Sequence, residues 1–364
     1  MKKTVNIRAT FLAAIMLLFV EPVSLLAQVI DSGDTIKIGL LISEKGFKDA
    51  QRGAELAVKE ANQKNFLPGK NVKLITRSME GPWGTGAKQT VDLVFNQKVL
   101  AIVGSHDGRN AHLAEQVISK TQVVYVSAWA GDPTLAQAYV PWFFSMAPNN
   151  IQQAQSLFSQ IYSGKEPGKV VALSDSTYDA ENALRFFLEK IEAEKIKEPK
   201  KVRYNVLDFN VKRILSVINN EKPNVLVLFG KPHESVLLLK ELSNLTFQPE
   251  IFGTFEILGE DPTHIFSFDD FKGVVVPDVH FLNSAKGIQF IKDYEAEYQK
   301  NASPTAIYSY DATWLILKKL KESGFDGDSF KKLMRKADEN GVTGIIRFDE
   351  IGNRKQAVNW ITIQ

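Results

Sequence analysis

From Ile36 onward, short apolar runs alternate with amphipathic stretches, and near residue 148 the alternation begins again. Residues 36–42, Ile-Lys-Ile-Gly-Leu-Leu-Ile, have the near-continuous apolar character of a strand buried on both faces. Residues 49–62 then place Ala50, Ala54, Ala57 and Ala61 at helical spacing. Strands are expected at 72–77, 100–103 and 123–127, with helices over 85–95 and from the loop after Gly104 to about Lys120. That βαβαβαβ order predicts a parallel sheet with helices on both faces. The second series expects strands at 143–146, 169–174, 202–209, 224–229, 250–255 and 273–276, with Asn149 or Asn150 capping its first helix. Helices over 286–299, 304–323 and 328–339 follow, and antiparallel-looking strands at 344–348 and 356–363 close the chain. At 364 residues there is enough chain for two such units, each with its own core.

The first 27 residues stand outside this pattern. Lys2, Lys3 and Arg8 form a basic start, residues 11–20 are apolar, and Leu25-Leu26-Ala27 is a small-residue exit. This order predicts a secretory signal peptide, cleaved after Ala27. The apolar stretch is short against the roughly 20 residues of a membrane span, and an uncleaved anchor is the alternative. Cleavage leaves 41 basic and 41 acidic side chains, a balance that gives no reason to expect a nucleic-acid partner. With no cysteine, the exported chain has neither disulfides nor a lipidated cysteine, and a hydrophobic core must hold it. A soluble protein of a Gram-negative periplasm is expected.

The patterns of catalysis are missing. His106, His112, His233, His264 and His280 lack metal-ligand spacing. No nucleophile elbow and no phosphate-binding loop occur, and Gly81-Pro-Trp-Gly-Thr-Gly86 departs from the dinucleotide fingerprint. Asp175, Asp179 and Glu181 read as capping and solvation of a helix start rather than as an acid/base pair. No enzyme activity, metal or cofactor is expected.

Several motifs occur in a familiar order: Arg52-Gly-Ala-Glu-Leu-Ala-Val58, Ala101-Ile-Val-Gly104, Asp132-Pro133-Thr-Leu135, and Trp142-Phe-Phe-Ser-Met-Ala-Pro148. Tyr308-Ser-Tyr-Asp-Ala312 and Gly341-Val-Thr-Gly344 with Phe348-Asp-Glu350 follow later. Together the chain resembles the type I periplasmic solute-binding proteins of the leucine/isoleucine/valine-binding group. The resemblance implies an α/β fold of two Rossmann-like lobes with parallel sheets, joined by three hinge crossings. Lobe 1 would comprise 34–147 plus 278–341, and lobe 2 would comprise 148–277 plus 342–364. The implied function is capture of a small molecule, amino-acid-like or related, between the lobes, for delivery to the membrane permease of an ABC importer. The alternative is a ligand sensor that presents its closed form to a signalling receptor. A monomer is expected.

The implied ligand loops depart from the family pattern. After Gly104 the chain reads Ser105-His-Asp-Gly-Arg-Asn110, with Gly108 at the usual serine position. A backbone N–H at the following helix start would hold a ligand anion and Arg109 would add charge. Asp107 would oppose the anion, accept from a cationic ligand, or pair with Arg109 at the rim. In the second loop Trp129-Ala130-Gly131 lacks the usual hydroxyl. Trp129 would stack on the ligand, with local packing as the other reading. Tyr178 would face the ligand or pack the helix entry, and Glu256 would pair with an ammonium group. These departures predict weak binding of leucine, isoleucine and valine and a ligand with a planar or larger apolar part. They also predict that Trp129→Ala leaves the melting temperature of the empty protein nearly unchanged.

Overall fold

Residue Leu40 explains why the first apolar run is central to its sheet. It lies opposite Thr76 on one neighbouring strand and Val103 on the other, both parallel to it. In the computed structural model, residues 35–364 are described apart from Ser105, Lys165 and 262–265; the expected signal peptide lies outside the described residues. The first series forms β1 (Thr35–Ile42), β2 (Asn71–Ser78), β3 (Ala101–Gly104) and β4 (Val124–Ser127), and the strand expected to open the second series joins them as β5 (Phe143–Ser145), because it pairs with β4. They make one parallel sheet in the order β2-β1-β3-β4-β5. The second sheet is built from β6 (Val170–Asp175), β7 (Lys200–Tyr204), β8 (Val225–Phe229), β9 (Glu250–Gly253) and β10 (Val275–Pro277). A hairpin of β11 (Glu339–Gly341) and β12 (Gly344–Ile346) stands apart, and β13 (Trp360–Thr362) pairs antiparallel with β10. The second order is β13-β10-β9-β8-β6-β7.

Helices α1 (Lys48–Gln63), α2 (Thr85–Val91), α3 (Gly108–Thr121) and the short α4 (Thr134–Gln137) connect the first strands. Helices α5 (Asn150–Tyr162), α6 (Tyr178–Ala193), α7 (Val211–Glu221) and α8 (Pro232–Leu242) belong to the second series. Helices α9 (Ala285–Tyr298), α10 (Pro304–Glu322) and α11 (Gly327–Arg335) return to the first. Asn149 caps α5 by accepting from the Gln152 N–H at 3.0 Å, while Gln152 Oε1 accepts from the Asn149 N–H at 2.9 Å.

Strand alternation sorts the apolar side chains onto two faces of each sheet. Ile36, Ile38 and Leu40 pack with Ala312, Leu315 and Ile316 of α10, while Leu41 on the opposite face joins Leu93, Ala111 and Ile118. In the second sheet Val171 and Leu173 face Ile214 and Ile218 of α7; Val170 and Ala172 face Leu157 of α5 and Phe187 of α6. Helices α1 and α10 cross so closely that a Cβ on Gly53 would lie 1.9 Å from the Ala306 carbonyl oxygen. Only glycine permits that approach.

Three expected boundaries move. The strand expected at 202–209 ends at Tyr204, because Asn205 accepts from the Leu207 N–H and starts a 3-10 turn over Val206–Asp208. The helix expected to reach residue 339 ends at Arg335, because Glu339–Gly341 pair with Gly344–Ile346 instead. The expected assignment of everything after 341 to the second lobe is also corrected. Ile346 and Phe348 pack in the first core, Phe348 lies 4.9 Å from Phe144, and the Arg354 N–H donates to the Ser145 carbonyl. Only Trp360–Thr362 joins the second sheet.

Candidate functional site

Parallel strands direct their carboxyl ends, and the helices that follow, toward the gap between the two sheets. A cavity of about 350 Å³ occupies that gap. The first sheet supplies Ser43 after β1, His106, Asp107, Arg109 and Asn110 after β3, and Trp129 after β4. The second supplies Ser176 to Ala180 after β6, Gly230 to Pro232 after β8, and Glu256, Gly259 and Glu260 after β9. Thr305, in the first turn of α10, completes the wall.

The two halves touch across this gap through directed hydrogen bonds. Asp179 Oδ1 accepts from the Gly108 N–H at 2.8 Å. Glu260 accepts from the N–H groups of Asp49 and Ala50, at 2.6 and 2.9 Å, at the start of α1. Tyr178 Oη donates to Asp132 Oδ2 at 2.6 Å, and the same oxygen lies 3.0 Å from His112 Nε2. The starts of α1 and α3 in the first half are thus each met by a carboxylate of the second, where the dipole favours negative charge.

Of the residues expected to bind ligand, Asp107, Arg109, Trp129, Tyr178 and Glu256 line the cavity. Gly108 adjoins it through its N–H. Ala130 and Gly131 do not line it, which corrects their expected place. Ala130 is buried with Leu135 and Tyr125 on the far face of the sheet, and the Gly131 carbonyl accepts from the Asn150 N–H at 2.7 Å. The chain leaves the cleft directly after Trp129, passes the start of α5 at Gly131 and continues into α4. Asp107 and Arg109 form no ion pair with each other. The Asp107 carboxylate caps α3 through the Asn110 N–H at 2.7 Å and accepts from Ser43 Oγ, while the Arg109 guanidinium stands 4.6 Å over the Trp83 ring. Trp129 is only 3% exposed, held 4.7 Å from Phe255 and 5.6 Å from Tyr308, so little of its face is open to a ligand.

Carboxylates dominate the electrostatics. Burial pushes Glu260 up to about 8, with Asp49 adding to it. Burial also raises Asp179, with Asp107 next to it, and raises Glu256 well above the usual carboxylate range, with Asp179, Asp175 and Asp107 contributing. His106, 5% exposed with Nε2 3.0 Å from Ser309 Oγ, is held neutral to about 4 by burial. At the rim, hydrogen bonds to Asp132 and then Glu115 raise His112 to about 9. Asp132 is pushed up by burial, yet donors from His112, Tyr178 and Thr134 hold it below the usual range.

These shifts set a direction for pH. Raised carboxylates keep protons in the folded protein that the unfolded chain has lost, so their stabilisation fades as pH climbs from the carboxylate range through about 8. The raised His112 has the same sign: its contribution is complete below about 6.5 and lost through about 9. His106 acts oppositely, but only below its ordinary range. Allowing for partial solvent access, stability falls by about 2–4 kcal/mol between roughly pH 6.5 and 8.5. Scanning calorimetry across that interval should show a falling midpoint, with a shallower slope in Glu260→Gln; a level midpoint in the parent protein contradicts the assignment.

A family model described as periplasmic binding protein matches residues 35–363. The chain belongs to this family. Among solved structures, this periplasmic binding protein is similar to the branched-chain amino acid transporter substrate-binding protein LivJ of Streptococcus pneumoniae in complex with isoleucine. The TM-score is 0.77 at 22% identity, over 91% of this chain and 96% of that one. It is also similar to an ABC transporter solute-binding protein of R. palustris in complex with benzoate, with TM-score 0.78 and 18% identity over 91% and 93% of the two chains. Glutamate receptor 3.4 of Arabidopsis thaliana is a distant relative, 21% identical over 88% of this chain, which spans only 38% of the receptor. These likenesses share the α/β fold with parallel sheets seen here.

Among the residues that sequence reasoning missed, Asp179, Glu260 and Thr305 matter most to the site. Asp179 read as a solvated cap, yet it reaches across the gap to Gly108. Glu260 carries no local signal, because its partners lie 210 and 211 residues away. Thr305 stood in plain view after Ser303-Pro304, a cap and first-turn pair that marks a helix start. Among the described residues, no group of three or more candidate ligands is placed to hold a metal ion.

Proposed function

We propose that this chain is an exported solute-binding protein that captures a small molecule between two lobes and delivers it to the permease of an ABC importer. The observation that carries this reading is the cavity itself, lined from both sheets and bridged by hydrogen bonds between them. A ligand that touches both halves stabilises the closed arrangement, and a permease that recognises that arrangement receives only loaded protein. The lobes are 35–147 with about 278–355, and 148–277 with about 356–364. The chain works as a monomer in the periplasm, without covalent chemistry. The similar solute-binding proteins in complex with isoleucine or benzoate support capture of small molecules.

The test is mass spectrometry of small molecules released when protein purified from its native compartment is denatured. A single compound near one per chain is expected. Its re-addition should lower the radius of gyration in small-angle scattering. Protein that releases nothing, and takes up nothing from a metabolite extract, removes the carrier reading.

A further inference from the structure

We propose that the cleft is built for a small organic cation without a free carboxylate, an amine or guanidine rather than an amino acid. The proposal rests on the carrier reading above and names its ligand class. Helix starts facing a cleft are the natural seats for a ligand anion. Two of the helix starts facing this cleft, both in the first half, hold the chain's own carboxylates: Asp179 on the Gly108 N–H of α3, and Glu260 on the Asp49 and Ala50 N–H groups of α1. Space is also closed at α3. A Cβ on Gly108 would lie 3.0 Å from both Asp179 Oδ1 and Tyr178 Cε1, so no further carboxylate fits against that N–H.

The remaining wall calls for positive charge. Glu44, Asp107, Asp179, Glu256 and Glu260 line the cavity against two cations, Arg109 and Lys231. Arg109 is directed onto Trp83. Glu256 has no side-chain hydrogen bond or ion pair among the described residues, and burial with its acidic neighbours raises its carboxyl. Independently of this acidic cluster, Thr305 is fully buried, lines the cavity, and has no hydrogen-bond partner for Oγ1. A hydroxyl left unpaired at the wall of a cavity costs free energy that a ligand N–H donor recovers. A cation placed among these groups relieves the carboxylate repulsion; an anion adds to it.

Matched probes isolate the carboxylate. Calorimetry is run with agmatine and 1,4-diaminobutane, and with arginine and ornithine, which are the same two chains bearing a carboxylate. Isoleucine and benzoate complete the panel. At least one amine should bind tenfold or more tightly than its amino acid. Glu256→Gln should weaken that amine at least tenfold while raising the thermal midpoint of the empty protein, because it removes repulsion; a structural role would lower both. Amino acids that match or exceed their amines overturn the proposal. Binding of isoleucine or benzoate alone also overturns it and leaves the carrier reading standing. Failure of all six probes overturns the ligand class as stated, and the released-molecule measurement judges the carrier reading separately.

Discussion

Trp129→Ala lowers the thermal midpoint of the empty protein by roughly 4–7 °C, the consequence of losing about 3–5 kcal/mol when a large core side chain is truncated. The indole is 3% exposed and belongs to the same apolar cluster as Phe255 and Tyr308. Phe255 comes from the second series and Tyr308 from α10, so the ring joins the two halves where the cleft floor meets the core. The neighbouring rings of Phe255 and Tyr308 are themselves buried and packed on each other, and the cost of the void adds to the lost burial. This reverses what the loop sequence suggested, which was a ligand-stacking ring with no effect on the empty protein. Thermal unfolding of ligand-free Trp129→Ala and Trp129→Phe decides between them. The packing role requires a large drop for alanine and partial recovery for phenylalanine, and an unchanged alanine midpoint restores the stacking role.

Arg354→Met is the other large effect, expected to cost about 3–5 kcal/mol despite a similar side-chain volume. The guanidinium is 1% exposed. Its Nη1 donates to Thr343 Oγ1 at 2.8 Å, and its Nη2 donates to the carbonyls of Thr343 and Ile345 at 2.8 and 2.9 Å. Thr343 Oγ1 in turn donates to Asp311 Oδ2 at 2.6 Å, and Asp311 also accepts from the N–H groups of Val342 and Thr343. Methionine fills the volume and leaves the Thr343 and Ile345 carbonyls without these donors, the Thr343 one in a buried setting. The backbone of Arg354 meets Ser145 and its carbonyl accepts from Gln152 Nε2, so the network lies where the chain crosses between sheets. Denaturant unfolding measures the loss. Arg354→Lys should recover only part of it, since a point charge cannot reproduce the planar fork. A methionine variant as stable as the parent would show that the fork is dispensable.

Sequence periodicity alone determined the architecture, for a local reason. Burial on both faces makes a parallel strand read as a continuous apolar run, as in residues 36–42, and a packed helix repeats its apolar residues at helical spacing, as Ala50 to Ala61 do. The two-fold restart near residue 148 and the motifs around Gly104, Trp142 and Tyr308 were enough to place the chain in its family. The loops at the strand ends could also be located, so five of the eight expected ligand residues line the cavity and Gly108 meets it through its backbone.

What those loops do was decided only in three dimensions. The motifs Tyr308-Ser-Tyr-Asp-Ala312 and Gly341-Val-Thr-Gly344 look independent in the sequence, yet Asp311 of one holds Val342 and Thr343 of the other, with Arg354 completing the network. Asp179 reads locally as a solvated cap and Glu260 carries no local signal, and only the approach of the second sheet sets them on helix starts of the first. Ala130 and Trp129 are adjacent in the chain, but one is buried on the far face of its sheet and the other forms the cleft floor. The physical reason is range. Strand and helix patterns come from neighbours a few residues apart, whereas charge crowding, helix capping across the cleft and burial of Trp129 depend on groups brought together from distant parts of the chain.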